Sequence, residues 1–256
     1  MAQREVDEAG RWNRSSLSMA PRRSLIEALR KELRTAGDPE KASGMKWYMK
    51  SEMPYFGVQT PVRRKICKAL FTAHPLRSFE EWTETILGLW RQAEYRENRY
   101  GALELAGAKV YAEYQTLKTL PLYEEMVVTG AWWDYADDIG SYRLKTLIER
   151  YPKGMARRMR SWSKSPNLWE RRCSIICQLR RKLDTDLELL RDCIEVNLDD
   201  KEYFIRKAIG WALRDLAWED LGTVERYVAA NRDRLSSLSK REALKNAEKI
   251  RASGRQ

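Results

Sequence analysis

One stretch of this sequence gathers two indoles, a phenol and three carboxylates: Ala131-Trp132-Trp133-Asp134-Tyr135-Ala136-Asp137-Asp138, directly after Gly130. On a helix, Trp133 and Asp137 lie four apart and share a face. Asp137 beside such rings is a candidate catalytic carboxylate. The same spacing also admits plainer readings. Acids suit the first turn of a helix, paired tryptophans are commonly core, and Asp134 with Asp138 is an equally spaced pair.

Three further clusters carry chemistry-bearing side chains. In Asn167-Leu168-Trp169-Glu170-Arg171-Arg172, Trp169 and Arg172 are neighbours on a helix face. Arg172 there can fork a phosphate or form an ordinary salt bridge. In Tyr203-Phe204-Ile205-Arg206-Lys207-Ala208-Ile209-Gly210-Trp211, Lys207 and Trp211 share a face, and Gly210 permits close approach of another helix. A core position is the plainer reading of Trp211. Tyr48 lies in Lys46-Trp47-Tyr48-Met49-Lys50, ahead of Pro54-Tyr55-Phe56-Gly57-Val58-Gln59-Thr60-Pro61-Val62-Arg63-Arg64. Thr60 reads as an N-cap and Pro61 as a first-turn residue. With Gln59 before them and two arginines after, that helix start is a ready anion site, though the cap exists under either reading.

Composition narrows the classes. The 256 residues are 43% hydrophobic and 33% charged, a globular balance. A net charge of +11 points to a polyanionic partner, nucleic acid before an acidic membrane surface. His74 is the only histidine, which argues against His-rich metal sites and Ser-His-Asp or Cys-His schemes. No glycine-rich phosphate loop or membrane-length apolar run occurs, so no metal or nucleotide cofactor and no membrane association is expected. Cys67, Cys173, Cys177 and Cys193 form no CxxC pair and read as free thiols in a reducing cytosol, three of the four sitting among apolar neighbours as small core residues.

The elements that must position these side chains are helices. Apolar residues recur at three- and four-residue steps over 24–36, 60–74, 133–150, 168–182 and 204–216. Turn signals at Gly37-Asp38-Pro39, Thr60-Pro61, His74-Pro75, Gly130, Tyr151-Pro152, Ser165-Pro166 and Asp184-Thr185 punctuate them. Arg172-Cys-Ser-Ile, Arg206-Lys-Ala-Ile and Arg241-Glu-Ala-Leu repeat one pattern at spacings of 34 and 35 residues. Steps of 36 back from Arg172 reach position 136, beside Asp137, then Tyr100 and Arg64. A period in the mid-thirties suits two-helix units stacked into a solenoid. The expected fold is all-α, a helical-repeat solenoid over 22–250 between flexible tails at 1–21 and 251–256. Its repeated positions Arg64, Tyr100, Asp137, Arg172, Arg206 and Arg241 would line one mostly basic concave groove suited to a duplex.

The stretches MKWYMKSEMPYFGVQTPVRR, VVTGAWWDYADDI, NLWERRCSIICQL, KEYFIRKAIGWALRDLA and LSKREALK together resemble the DNA alkylation repair family of AlkD-like, HEAT-repeat glycosylases, in family order across roughly 24–250. The resemblance implies HEAT-like repeats and excision of N3- or N7-alkylated purines from double-stranded DNA, without metal or nucleotide. It places the catalytic carboxylate on Asp137, the lesion-facing aromatics on Tyr48, Trp133 and Trp211, and a phosphate-holding arginine on Arg172. Gln59, Thr60, Pro61, Arg64, Lys207 and Arg241 are the expected DNA contacts. A cytosolic, nucleoid-associated monomer follows as the expectation.

Such chemistry is consistent with one histidine and a single well-placed acid. A purine alkylated at N3 or N7 is cationic, so it leaves without a general acid. The protein then needs to stabilise an oxocarbenium-like sugar and guide water, as carboxylates do in glycoside hydrolysis. Two alternatives use the same charge: a non-catalytic HEAT-repeat module for damaged or branched DNA, and an armadillo-type scaffold for an acidic peptide.

Overall fold

The computed structural model describes residues 22–253, and among these every regular element is a helix. The N-terminal stretch 1–21, expected as a tail, lies outside the described residues. The chain divides into two compact units, up to Gln115 and from Thr116 onward. Among the described residues no helix is long and apolar enough to cross a membrane.

The first unit contains α1 (Arg23–Thr35), α2 (Pro39–Met49), α3 (Thr60–Ala73), α4 (Phe79–Arg91) and α5 (Arg96–Ala106). Leu25, Ile26, Leu29 and Leu33 recur at helical spacing along α1 and are buried. α2 starts where Asp38 accepts from the amides of Glu40 and Lys41, with Pro39 at the first position. α4 starts on the Ser78 hydroxyl, which accepts from Glu81 N. The cap of α3 is Gln59 rather than Thr60, and no side chain caps it. Thr60 and Pro61 form the first turn itself, one position inside the expected boundary.

The second unit contains α6 (Leu120–Gly130), α7 (Trp133–Asp138), α8 (Lys145–Arg150), α9 (Pro152–Trp162), α10 (Leu168–Ile176), α11 (Leu187–Glu195), α12 (Tyr203–Ala217), α13 (Leu221–Ala230), α14 (Ser237–Ala243) and α15 (Ala247–Ala252). α7 and α8 are joined without a break by a π-helical segment, Ile139–Leu144. The polar caps repeat: Asn167, Asp186, Asp220 and Ser236 open α10, α11, α13 and α14 by accepting backbone amides. Arg251 and Ala252, expected in the C-terminal tail, continue α15, and Arg251 pairs with Glu225.

One stride recurs among the contacts between helices of this unit. Asn197 Nδ2 donates to Ser163 O at 2.9 Å, Arg180 N to Asp215 Oδ2 at 2.7 Å, Arg234 Nη2 to Asp199 Oδ2 at 2.8 Å and Ser239 Oγ to Arg206 O at 2.9 Å. Each bond joins residues 33 to 35 positions apart. The spacing seen in the sequence thus reappears as the chain separation of these four contacts.

All four cysteines are free and buried. Burial pushes the thiols of Cys67 and Cys193 up to about 12, and those of Cys173 and Cys177 well above the ordinary range.

Candidate active site

The site in the second unit begins at the end of α6. Ala131 adopts a left-handed backbone with φ 45, which stops α6 and turns the chain into α7. Trp132 occupies the cap of α7, Trp133 its first position and Asp137 its last full turn. The π-helical segment follows at once, with Ser141 Oγ donating to Asp137 O at 2.6 Å. π-turns inside α-helices are rare and concentrate at functional sites.

Gly140 in that segment explains how a second helix reaches the acid. A Cβ there would stand 2.8 Å from Ile176 Cγ1 and 3.5 Å from Cys173 Cα. Only glycine lets α10 lie this close. Cys173 Sγ meets Ala136 O at 3.4 Å along the same seam. Arg172, the residue before Cys173, thereby comes onto Asp137. Its Nε donates to Oδ1 at 2.7 Å and its Nη2 to Oδ2 at 2.9 Å, while Nη1 donates to Phe204 O at 2.6 Å. One guanidinium ties together α7, α10 and α12.

Beside Arg172 stands an aromatic cluster. Trp169 and Phe204 lie 5.0 Å apart, Trp132 lies 5.8 Å from Phe204 and 6.2 Å from Trp169, and Tyr203 packs edge-on against Phe204 at 5.4 Å. The Arg172 guanidinium carbon is 5.9 Å from the Phe204 ring centre. Arg172 is 3% exposed, whereas 18% of the Asp137 side chain faces out. Burial pushes the Asp137 carboxyl above its ordinary value, and the guanidinium charge and hydrogen bonds oppose that rise without cancelling it. Both oxygens accept from the fork, the arrangement of an ionised carboxylate.

The other expected positions divide by environment. Trp133 is half-buried one turn before Asp137, and Trp211 is half-buried two turns beyond Phe204 on the same face of α12. Lys207 pairs with Glu242 at 2.8 Å, and Arg214 reaches the other Glu242 oxygen at 2.5 Å. Those cations hold the Glu242 carboxyl below its ordinary value. Arg241 is exposed. Arg206 turns its Nε to Asp200 O at 2.9 Å. The repeated positions are thus not a row of free positive charges: Arg172 pairs with Asp137, Arg206 with the Asp200 carbonyl and Arg64 with Glu104.

In the first unit, Tyr48 stands on α2 and is 68% exposed. Gln59, Thr60, Pro61 and Arg64 are exposed at the start of α3. Of the two arginines expected to face an anion there, Arg63 is buried and stacks over the Tyr100 ring at 4.7 Å. Arg63 and Arg64 share Glu104, at 3.4 and 3.2 Å. Sequence reading missed Glu97, which is fully buried and accepts from the amides of Phe56, Gly57 and Val58 at 3.0, 2.9 and 3.1 Å. It clamps the strand of chain that leads into Gln59. Gly57 itself has φ 89, and a Cβ there would strike Asp38 O at 2.0 Å.

The sequence model of the DNA alkylation repair enzyme family matches residues 29–247. The chain belongs to that family. Among solved structures it is similar to a predicted DNA alkylation repair enzyme from Enterococcus faecalis, with 27% identity and a TM-score of 0.74. The match covers 82% of this chain and 95% of that one. No curated protein matches the chain. Membership in the DNA alkylation repair enzyme family gives the chain a role in repair of alkylation damage, with DNA as its substrate. The all-helical fold agrees with that family.

Proposed function

We propose that this DNA alkylation repair family member is a glycosylase that excises cationic N3- or N7-alkylated purines from duplex DNA. The observation that carries the reading is Asp137: a largely buried acid held by a buried arginine that itself lies against an aromatic cluster. An acid set so firmly on a helix stack of net positive charge repels phosphate. Its use is to stabilise a cation.

The reaction follows from that use. The bond from C1′ to the purine nitrogen breaks, and its electron pair goes to the base, which leaves neutral. The sugar carries the positive charge, which the Asp137 carboxylate stabilises. Water then adds to C1′ and gives up a proton, with the carboxylate as acceptor. The products are the free alkylpurine and an abasic sugar. Arg172 acts here as the residue that orients the carboxylate and keeps it ionised. Little of it faces solvent, so phosphate binding falls to Arg64, Arg241 and the start of α3. Electron-rich rings of this unit, Trp133 and Trp211, favour a charged base over a neutral one by about 0.5–2 kcal/mol each. The stride of 33 to 35 residues in the second unit supports a helical-repeat scaffold for this surface.

Purified protein incubated with duplex DNA carrying N7-methylguanine is expected to release free base above the spontaneous rate. Asp137→Asn is expected to keep duplex affinity within about threefold and to lose on the order of 10²-fold in excision. Steep loss of affinity with rising salt accompanies phosphate binding. A folded, DNA-binding sample that releases no base overturns the glycosylase reading and leaves a non-catalytic DNA-binding module.

A further inference from the structure

Helices α11, α12 and α13 of the second unit line a cavity of about 650 Å³ that takes no part in the chemistry around Asp137. That volume is in the range of small-molecule sites, about 300–1,000 Å³. α11 contributes Leu187, Leu190 and Ile194, which recur at three- and four-residue steps and so share one face. α12 contributes Leu213 and Leu216, on the side of that helix turned away from Lys207 and Trp211. α13 adds Val224, so the apolar part of the lining is aliphatic. Leu187 is 48% exposed, which leaves part of that surface open to water.

The polar part of the lining leans positive. Arg191 on α11 and Arg226 on α13 are its cations, and Glu188 is its acid. Glu188 is answered from outside the cavity by Arg160 at 3.4 Å. Arg191 stands 3.8 Å from Glu195, beyond hydrogen-bond distance, with 58% of its side chain exposed. Arg226 donates to the Thr223 hydroxyl at 2.9 Å, and Asp220 takes that hydroxyl rather than the guanidinium. Tyr227 also lines the cavity, and its hydroxyl is buried without a hydrogen-bond partner among the described residues. Buried donors are rarely left so. Burial pushes this phenol up to about 12, so it keeps its proton, and the charges of Glu195, Arg234 and Arg191 act on it.

We propose that this cavity binds a free alkyl carboxylate of the fatty-acid type, its chain along the aliphatic faces of α11 and α12 and its head between Arg191 and the Tyr227 hydroxyl. The lining selects the occupant. Leucine, isoleucine and valine side chains suit a saturated chain, and their burial against it drives binding. Two guanidinium groups without a close carboxylate favour an anionic head over a cationic one. A carboxylate also supplies the acceptor that the Tyr227 hydroxyl lacks. Arg191 is long and loosely held, so it closes over a head group placed beside that hydroxyl. The site is separate from Asp137 and stands whether or not the chain excises bases.

Calorimetric titration of the full chain with dodecanoate, kept below its micelle concentration, tests this. One molecule per chain is expected, bound about tenfold or more tightly than octanoate, because each added methylene leaves water. Dodecyltrimethylammonium, with the same chain and the opposite charge, is expected to bind about tenfold or more weakly than dodecanoate. Arg191→Glu should weaken dodecanoate by about tenfold or more, and Tyr227→Phe by about fivefold. Tyr227→Phe is also expected to keep or raise Tm in the absence of dodecanoate, since it removes a buried hydroxyl without an acceptor. A hydroxyl with a purely structural role gives a lower Tm instead, and that result overturns the assigned head site. A folded parent that binds no dodecanoate, binds several per chain, or takes the ammonium amphiphile equally well overturns the inference. Parental affinity in both variants does the same. A chain that binds none and self-associates has a second copy in the groove instead.

Discussion

Arg172 and Asp137, 35 positions apart, meet as a two-point fork in which each carboxylate oxygen takes its own N–H. The pair lies where α10 packs on α7, so the same contact that joins these helices also holds the carboxylate proposed to act on the sugar. Stability and the proposed chemistry meet in a single ion pair, and the two can be separated by substitution.

Arg172→Ala strands the Asp137 charge in a largely dry setting and opens the link to Phe204 O. A loss of about 3 kcal/mol or more in urea unfolding is expected. Arg172→Lys keeps the charge but cannot serve Oδ1, Oδ2 and Phe204 O together, so it should fall between the two. A Lys variant with parental midpoint and parental excision would remove the fork from the account.

The pH dependence follows from the Asp137 carboxyl lying above its ordinary 3.8. As pH falls through that raised value the carboxylate gains a proton and loses the charge that stabilises the sugar cation. Single-turnover excision is expected to show an acid limb centred above 3.8, absent from the residual rate of Asp137→Asn. Arg172→Lys should shift the limb to higher pH. The folded state binds this proton more tightly than the unfolded chain does. This group therefore disfavours the fold above the raised value, and that penalty is relieved as pH falls.

Gly140→Ala drives a methyl into Ile176 and pushes α10 off the π-helical segment. Overpacking at this seam is expected to cost about 1–3 kcal/mol and to reduce excision by loosening the fork. Ile176→Val in the same chain makes room and should return part of both losses. Equal Tm and equal rate in Gly140→Ala would show that the close seam is unimportant.

Trp133→Ala removes an indole one turn from the acid. The ratio of excision rates for a charged over a neutral base is expected to fall by about 3- to 30-fold, the range of one cation–π contact. An unchanged ratio, measured on N7-methylguanine against hypoxanthine, removes Trp133 from lesion discrimination.

Much of this was legible in the residues. The spacing of Arg172, Arg206 and Arg241 reappears in several contacts between helices, and the helices over 23–35, 60–73 and 203–217 lie within one residue of the periodic segments. Trp133 and Asp137 do share one helix, and α7 passes through Gly140 without a stop. Other features depend on partners distant in the chain. Arg172 reads as a phosphate fork until α7 is folded against it, and then its hydrogens face Asp137. Arg63 and Arg64 read as an anion site until Glu104 arrives from α5. Glu97 carries no local signal, because its three donors lie 39 to 41 residues away. The Trp132–Trp169–Phe204 wall likewise assembles from three helices. Periodicity reveals which residues face a neighbour, but not which neighbour neutralises them.

The four buried thiols have a consequence suited to the work of this family. An alkylating agent attacks nucleophiles without regard to whether they belong to DNA or protein, and the thiolate is the most reactive that a polypeptide offers. Here every thiol is shut away from solvent and held protonated far past neutrality. The same electrophiles that create the substrate therefore find little on these side chains to poison.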